Sequence, residues 1–182
     1  MGYELHPETP LGGLPLAEHL RDPEGAHAYV RSFAAGFGIE DLSPPARLAN
    51  TRRALAVAEH ARDAGRLHVF NAAAYDAYWR HGQGIESDEE LAAIARRAGL
   101  EAGAAVAAAR DPAILARVDA ARREAKRAGV TGVPTFDVEP DAPGAARVSS
   151  RVVGCQRYDV LVDAARRAGA RRRDTGPDAE GS

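Results

Sequence analysis

The sequence predicts an α/β or α+β layout in which a long helical block is inserted into a smaller strand-containing unit. Three observations carry this. Helical periodicity persists from residue 16 to residue 129. It then gives way to two-residue alternation at residues 135–138 and 147–152. A last helical pattern follows from Tyr158.

The elements follow in order along the chain. Gly2-Tyr3-Glu4-Leu5 is long enough only for the tail of one strand, and Pro7, Pro10, Gly12, Gly13 and Pro15 make the next stretch a loop. Residues 23–37 form a helix with Ala26, Tyr29 or Val30, and Phe33 on its inward face, closed by Gly36, Gly38 and Ser43-Pro44-Pro45. Asn50 is an N-cap for a helix reaching Ala64, with Gly65 as its stop. Residues 67–80 repeat Phe70, Ala74 and Tyr78 on one face. Ser87 and Glu90 make a capping box for a helix that turns Leu91, Ile94 and Ala98 inward. Residues 101–109 are alanine-rich and helical. Asp111-Pro112 starts the next helix, with Ile114, Leu115, Val118, Ala121 and Ala125 inward and Gly129 as stop. Two strands around a loop at residues 139–146 form a hairpin. Residues 158–168 close the fold with Val160, Leu161 and Ala164 or Ala165 inward, and residues 170–182 read as a disordered polar tail.

Composition narrows the function. Apolar residues make up 45% of the chain, but 40 of them are alanine, so the core is thin and its helices approach closely. A net charge of −2 argues against nucleic acid or an anionic membrane as partner. No apolar run is long enough to span a bilayer, and the first residues lack a secretory pattern, so the expected location is cytoplasmic. The single cysteine, Cys155, excludes an internal disulfide and a Cys-rich zinc module. His60, His68 and His81 show no metal-ligand spacing, and no phosphate-binding glycine loop or nucleophile elbow is present. The expected metal is none.

Two segments could carry chemistry. In Gly129-Val130-Thr131-Gly132-Val133-Pro134-Thr135-Phe136 a helix stops at glycine and a proline opens a strand, a place where a donorless residue is tolerated and an X–Pro bond can be cis. An ordinary helix-to-strand loop has the same residues. In Val152-Val153-Gly154-Cys155-Gln156-Arg157 a strand, a glycine turn and a helix start follow one another. Helix N-termini favour thiolates, which makes Cys155 a weak catalytic candidate; a small inert cysteine is the commoner case.

These segments, together with Tyr3-Glu4-Leu5-His6-Pro7-Glu8, Asn50-Thr51 and Tyr75-x-x-Tyr78-Trp79-x-x-Gly82, resemble FrnE-like members of the DsbA thioredoxin-fold family over residues 3–169. The family is related to 2-hydroxychromene-2-carboxylate isomerases and kappa-type glutathione transferases. The resemblance implies a thioredoxin-like core interrupted by a large helical domain. Its boundaries would be a strand and loop remnant at 1–15, the insertion at 16–128, the cis-proline loop, hairpin and last helix at 129–169, and a tail at 170–182. It implies thiol–disulfide exchange as the family activity, with Val133, Pro134, Gly154, Cys155 and Gln156 at the substrate site. An extended peptide or thiol substrate, or glutathione, would be the partner, and glutathione the one cofactor the resemblance admits. Gln156 stands where the glutathione-dependent branch carries an acidic residue, which counts against the isomerase reading.

The family's opening strand, Cys-x-x-Cys turn and helix have no counterpart here, so the expectation is an N-terminally incomplete chain, inactive as a dithiol enzyme. Such a chain would expose a sheet edge. A strand-supplying partner, a homodimer or a marginal hairpin would then follow.

Overall fold

The computed structural model describes residues 2–140 and 150–171. Its contacts divide the chain into two compact units, Met1–Ala125 and Lys126–Ser182.

The first unit is helical apart from one short ladder. Strand β1 (Leu14–Pro15) pairs antiparallel with β2 (Arg47–Leu48), Leu14 opposite Leu48. Leu16 N–H extends the pairing by donating to Ala46 O at 2.9 Å. Helices α1 (Leu16–His19), α2 (Pro23–Ala35), α3 (Arg52–Asp63) and α4 (Leu67–Tyr75) follow, the last running into a π-helical turn (Asp76–Arg80). Then come α5 (Asp88–Arg97), α6 (Ala102–Ala108) and α7 (Pro112–Arg127).

Local chemistry accounts for the helix starts. Ser87 accepts from Glu90 N–H while the Glu90 carboxylate accepts from Ser87 N–H, a reciprocal box that satisfies donors at both positions. Asp111 accepts from Ala113 N–H at 2.7 Å, and Pro112 gives up no hydrogen bond at the first helical position. Asn50 acts one residue earlier than a cap. Its Oδ1 takes Arg52 N–H at 3.0 Å, while its amide donates to Thr9 O at 2.6 Å, so the helix proper begins at Arg52.

The core of this unit is alanine-lined. Phe70, Leu91, Ile94 and Val57 are the largest fully buried side chains, set among Ala54, Ala58, Ala61, Ala77, Ala95, Ala98 and Ala105. With so few large groups, helix surfaces meet almost at the backbone, and burial comes from close approach. Arg–carboxylate pairs fasten α7 to α3. Arg52 grips Asp119 through both terminal nitrogens at 2.7 and 2.9 Å. Arg117 reaches both Asp63 and Glu59.

Two expectations for this unit need correction. Residues 2–5 are not a strand; no strand lies beside them among the described residues, and Glu4 is instead buried with Arg52 Nη1 at 3.5 Å. The face of α2 read as inward is only partly so: Ala26 and Val30 are half-buried, whereas Tyr29 and Phe33 are open by 69% and 43% and pack in a row with Phe37 beyond the helix end, and only Ala34 of the helix is buried. Four-residue spacing marks a stripe, but it does not specify what the stripe faces.

In the second unit β3 (Thr135–Val138) pairs antiparallel with β4 (Ser150–Val153), Thr135 opposite Val153 and Asp137 opposite Arg151. Helix α8 (Tyr158–Arg167) follows and buries Ala164 beside half-buried Leu161 and Ala165; Val160, expected inward, is exposed. Among the described residues of the hairpin strands, Val152 is the buried one. The expected strand start at residues 147–149, most of the loop at 139–146, and residues 172–182 of the tail lie outside the described residues.

Candidate functional site

The second unit brings the glycine–proline loop and the turn after β4 together. Past the end of α7 the chain reverses at Gly129, whose φ of +70° a residue with a Cβ adopts only at a cost. The Val133–Pro134 peptide bond is cis. Thr135 Oγ1 donates to Gly132 O at 2.7 Å, closing the loop onto the start of β3. Gly154 N–H, one residue beyond β4, donates to Pro134 O at 2.7 Å. Thus Pro134 and Gly154, singled out from the sequence as separate motifs, touch through one backbone hydrogen bond.

Val133 sits between these anchored residues and is itself unanchored. Its side chain is 44% exposed, and among the described residues its backbone N–H and C=O have no hydrogen-bond partner. Backbone groups so placed are open to an incoming chain. Val153, opposite Thr135 on one face of the hairpin, is also exposed, as is Phe136, which shares the other face with Val152.

The remaining expected residues are placed less centrally. Cys155 is free and exposed, two residues before Arg157, the N-cap of α8. Gln156 turns back, its Nε2 donating to Val153 O at 3.0 Å, so its amide braces the turn.

One contributor was missed from the sequence. Arg151 donates from Nε and Nη2 to the two carboxylate oxygens of Asp137 at 2.6 and 2.8 Å, and from Nη1 to Ala128 O and Gly129 O at 2.8 and 3.2 Å. The hydrogen bonds from Arg151 hold the Asp137 carboxyl below the usual carboxylate range. Opposite charges facing across a hairpin were a readable signal. The reach to the helix end was not.

The first unit holds a separate cleft of about 910 Å³ lined by Arg47, Arg52, Arg53, Tyr78, Glu86 and Arg110. Its polar groups are already matched. Glu86 accepts from Gly12 and Asn50 N–H, Tyr78 donates to Arg47 O, and Arg53 and Arg110 both pair with Asp88. Among the described residues no group of three or more His, Cys, Asp or Glu could hold a metal, and no helix is long and apolar enough to cross a membrane.

Residues 2–166 match the DSBA-like thioredoxin domain. The chain belongs to the DSBA-like thioredoxin family. A comparison with curated proteins found no match. Among solved structures, this DSBA-family chain is similar to a probable DsbA oxidoreductase from Streptomyces coelicolor. The two share 25% identity with a TM-score of 0.75, over 98% of this chain and 78% of the other. The fold is therefore the helix-rich, DsbA-type thioredoxin fold that the resemblance implied, in a family of thiol–disulfide oxidoreductase type.

Proposed function

We propose that this chain is a FrnE-like member of the DSBA family that holds an extended cysteine-containing peptide, or glutathione, along the Val133–Pro134 loop, without dithiol exchange of its own. The observation that carries the reading is Val133, exposed and with both backbone groups unpaired among the described residues, between Gly132 and Pro134, which are both tied down. A bound peptide would satisfy the N–H and C=O of Val133 and cover Val153. Dithiol exchange requires an attacking and a resolving thiol. The chain has one cysteine.

Titration with reduced glutathione and with a short cysteine peptide, followed by amide chemical shifts, tests the binding. Saturable shifts at Val133 and Thr135 are expected; a silent loop with both ligands sinks the proposal. Insulin reduction measured alongside is expected to stay at background, and turnover by the purified chain would overturn the second half of the reading. The isomerase alternative draws less support, because Gln156 stands where that branch has an acid and its amide is engaged with Val153.

A further inference from the structure

Among the described residues, Arg151 reaches more of the loop than any other side chain of the second unit. Its guanidinium makes two parallel bonds to Asp137, directly opposite on β3, and two more to the carbonyls at the end of α7. The loop leaves the helix at Gly129 and enters β3 at Thr135. One side chain therefore ties the residues before the loop to the strand after it. Gly154, three residues further along, holds the loop again at Pro134. Both anchors come from the β4 segment, and Val133 is the residue left open between them.

We infer that Arg151 is the positioning residue of the Val133–Pro134 loop: bridging Asp137 to the Ala128 and Gly129 carbonyls, it presents the Val133 backbone to the ligand. The inference rests on the binding role proposed above. Arg151 need not touch the ligand. The task requires a planar, multi-donor head, because two carboxylate oxygens and two carbonyls lie in different directions around it. A lysine ammonium, a compact point charge, can keep the attraction to Asp137 but cannot satisfy both sides at these distances. Charge alone is then insufficient, which separates positioning from simple ion pairing.

The test uses the full chain in four forms: wild type, Arg151→Gln, Arg151→Lys and Val152→Ala. Val152 is buried, lies on the strand that packs against α8 and makes no bond to the loop, so Val152→Ala reports loss of hairpin stability alone. Amide shifts and hydrogen exchange of residues 129–135 are recorded without ligand, and affinities for reduced glutathione and the cysteine peptide are then measured. Arg151→Gln and Arg151→Lys are both expected to move the loop amides, speed exchange at Gly132 and Thr135, and weaken ligand binding at least fivefold. Val152→Ala is expected to lower the melting temperature while leaving loop shifts and affinity near wild type. Loop amides unchanged in Arg151→Gln, or changed equally by Val152→Ala, would overturn the inference. Full rescue by lysine would also overturn it, in favour of a charge effect. Should wild type bind neither ligand, the proposed function fails while the loop amides still decide the role of Arg151.

Discussion

Gly154→Ala isolates one term in the architecture of the site. Gly154 has φ +81°, and a Cβ built on it meets nothing nearer than Gln156 Nε2 at 3.8 Å, an ordinary contact. Steric collision is therefore absent, and the backbone conformation carries the cost. Holding an L-residue in the left-handed region costs about 1–2 kcal/mol. Against this, alanine reduces the freedom of the unfolded chain, which returns about 0.4–1 kcal/mol. The net loss expected is about 1 kcal/mol, roughly a fivefold rise in the open population of the turn. Native-state hydrogen exchange reads this directly at residue 154 and at the hairpin amides, because Gly154 N–H is protected only by Pro134 O. Gly154→Asn is the control: asparagine enters the left-handed region more readily, so its exchange should fall between glycine and alanine. Exchange in Gly154→Ala within a factor of 1.5 of wild type would refute the reasoning, as would asparagine behaving worse than alanine.

Three further predictions concern the rest of the molecule. Phe70→Ala should cost about 3–5 kcal/mol, toward the upper end, because the alanines that share its core have no side-chain atoms beyond Cβ with which to fill the void; a loss under 2 kcal/mol in denaturant titration would contradict that packing. Hydrogen bonds from arginine lower the carboxyl groups of Asp63, Asp88, Asp119 and Asp137. Their contribution is present above the unfolded-state value of about 3.9 and is lost as pH falls through the folded values, so the denaturation midpoint should be level above about pH 5 and fall steadily below pH 4. These pairs are exposed, so 1 M salt should flatten that fall, and a salt-independent profile would point elsewhere. Cys155→Ser should change stability by less than about 0.5 kcal/mol and leave ligand-induced shifts at Val133 intact, since the thiol is exposed; lost binding would restore Cys155 as a participant.

What could be read from the sequence divides by distance along the chain. The capping box at Ser87 and Glu90 and the Asp111-Pro112 start depend on residues within four positions, and the strand at Thr135 on alternation within its own four residues, where caps and periodicity are informative. The Leu14–Leu48 ladder has two residues per strand and joins distant segments, so no alternation announces it. Asn50 carries a cap-forming side chain, yet half of its bonding goes to Thr9, forty-one positions away. Val133 and Pro134 were recognisable as a motif, whereas Arg151 reads as the outward member of an alternating strand. Its role depends on the end of α7 lying within reach of a strand more than twenty residues later.

The alanine-lined core has a consequence at the level of codons. Large side chains such as Phe70 fail when they are trimmed, but the core positions Ala61, Ala77, Ala95 and Ala105, all without solvent exposure, have little left to trim. The weakness of these positions lies in growth. Every alanine codon becomes a valine codon by a single cytosine-to-thymine change, and two extra methyl groups at a closed contact cost about 1–3 kcal/mol of overpacking. Chemical decay of cytosine thus pushes these alanine positions toward overpacking, and the burden on such a chain is to keep them small.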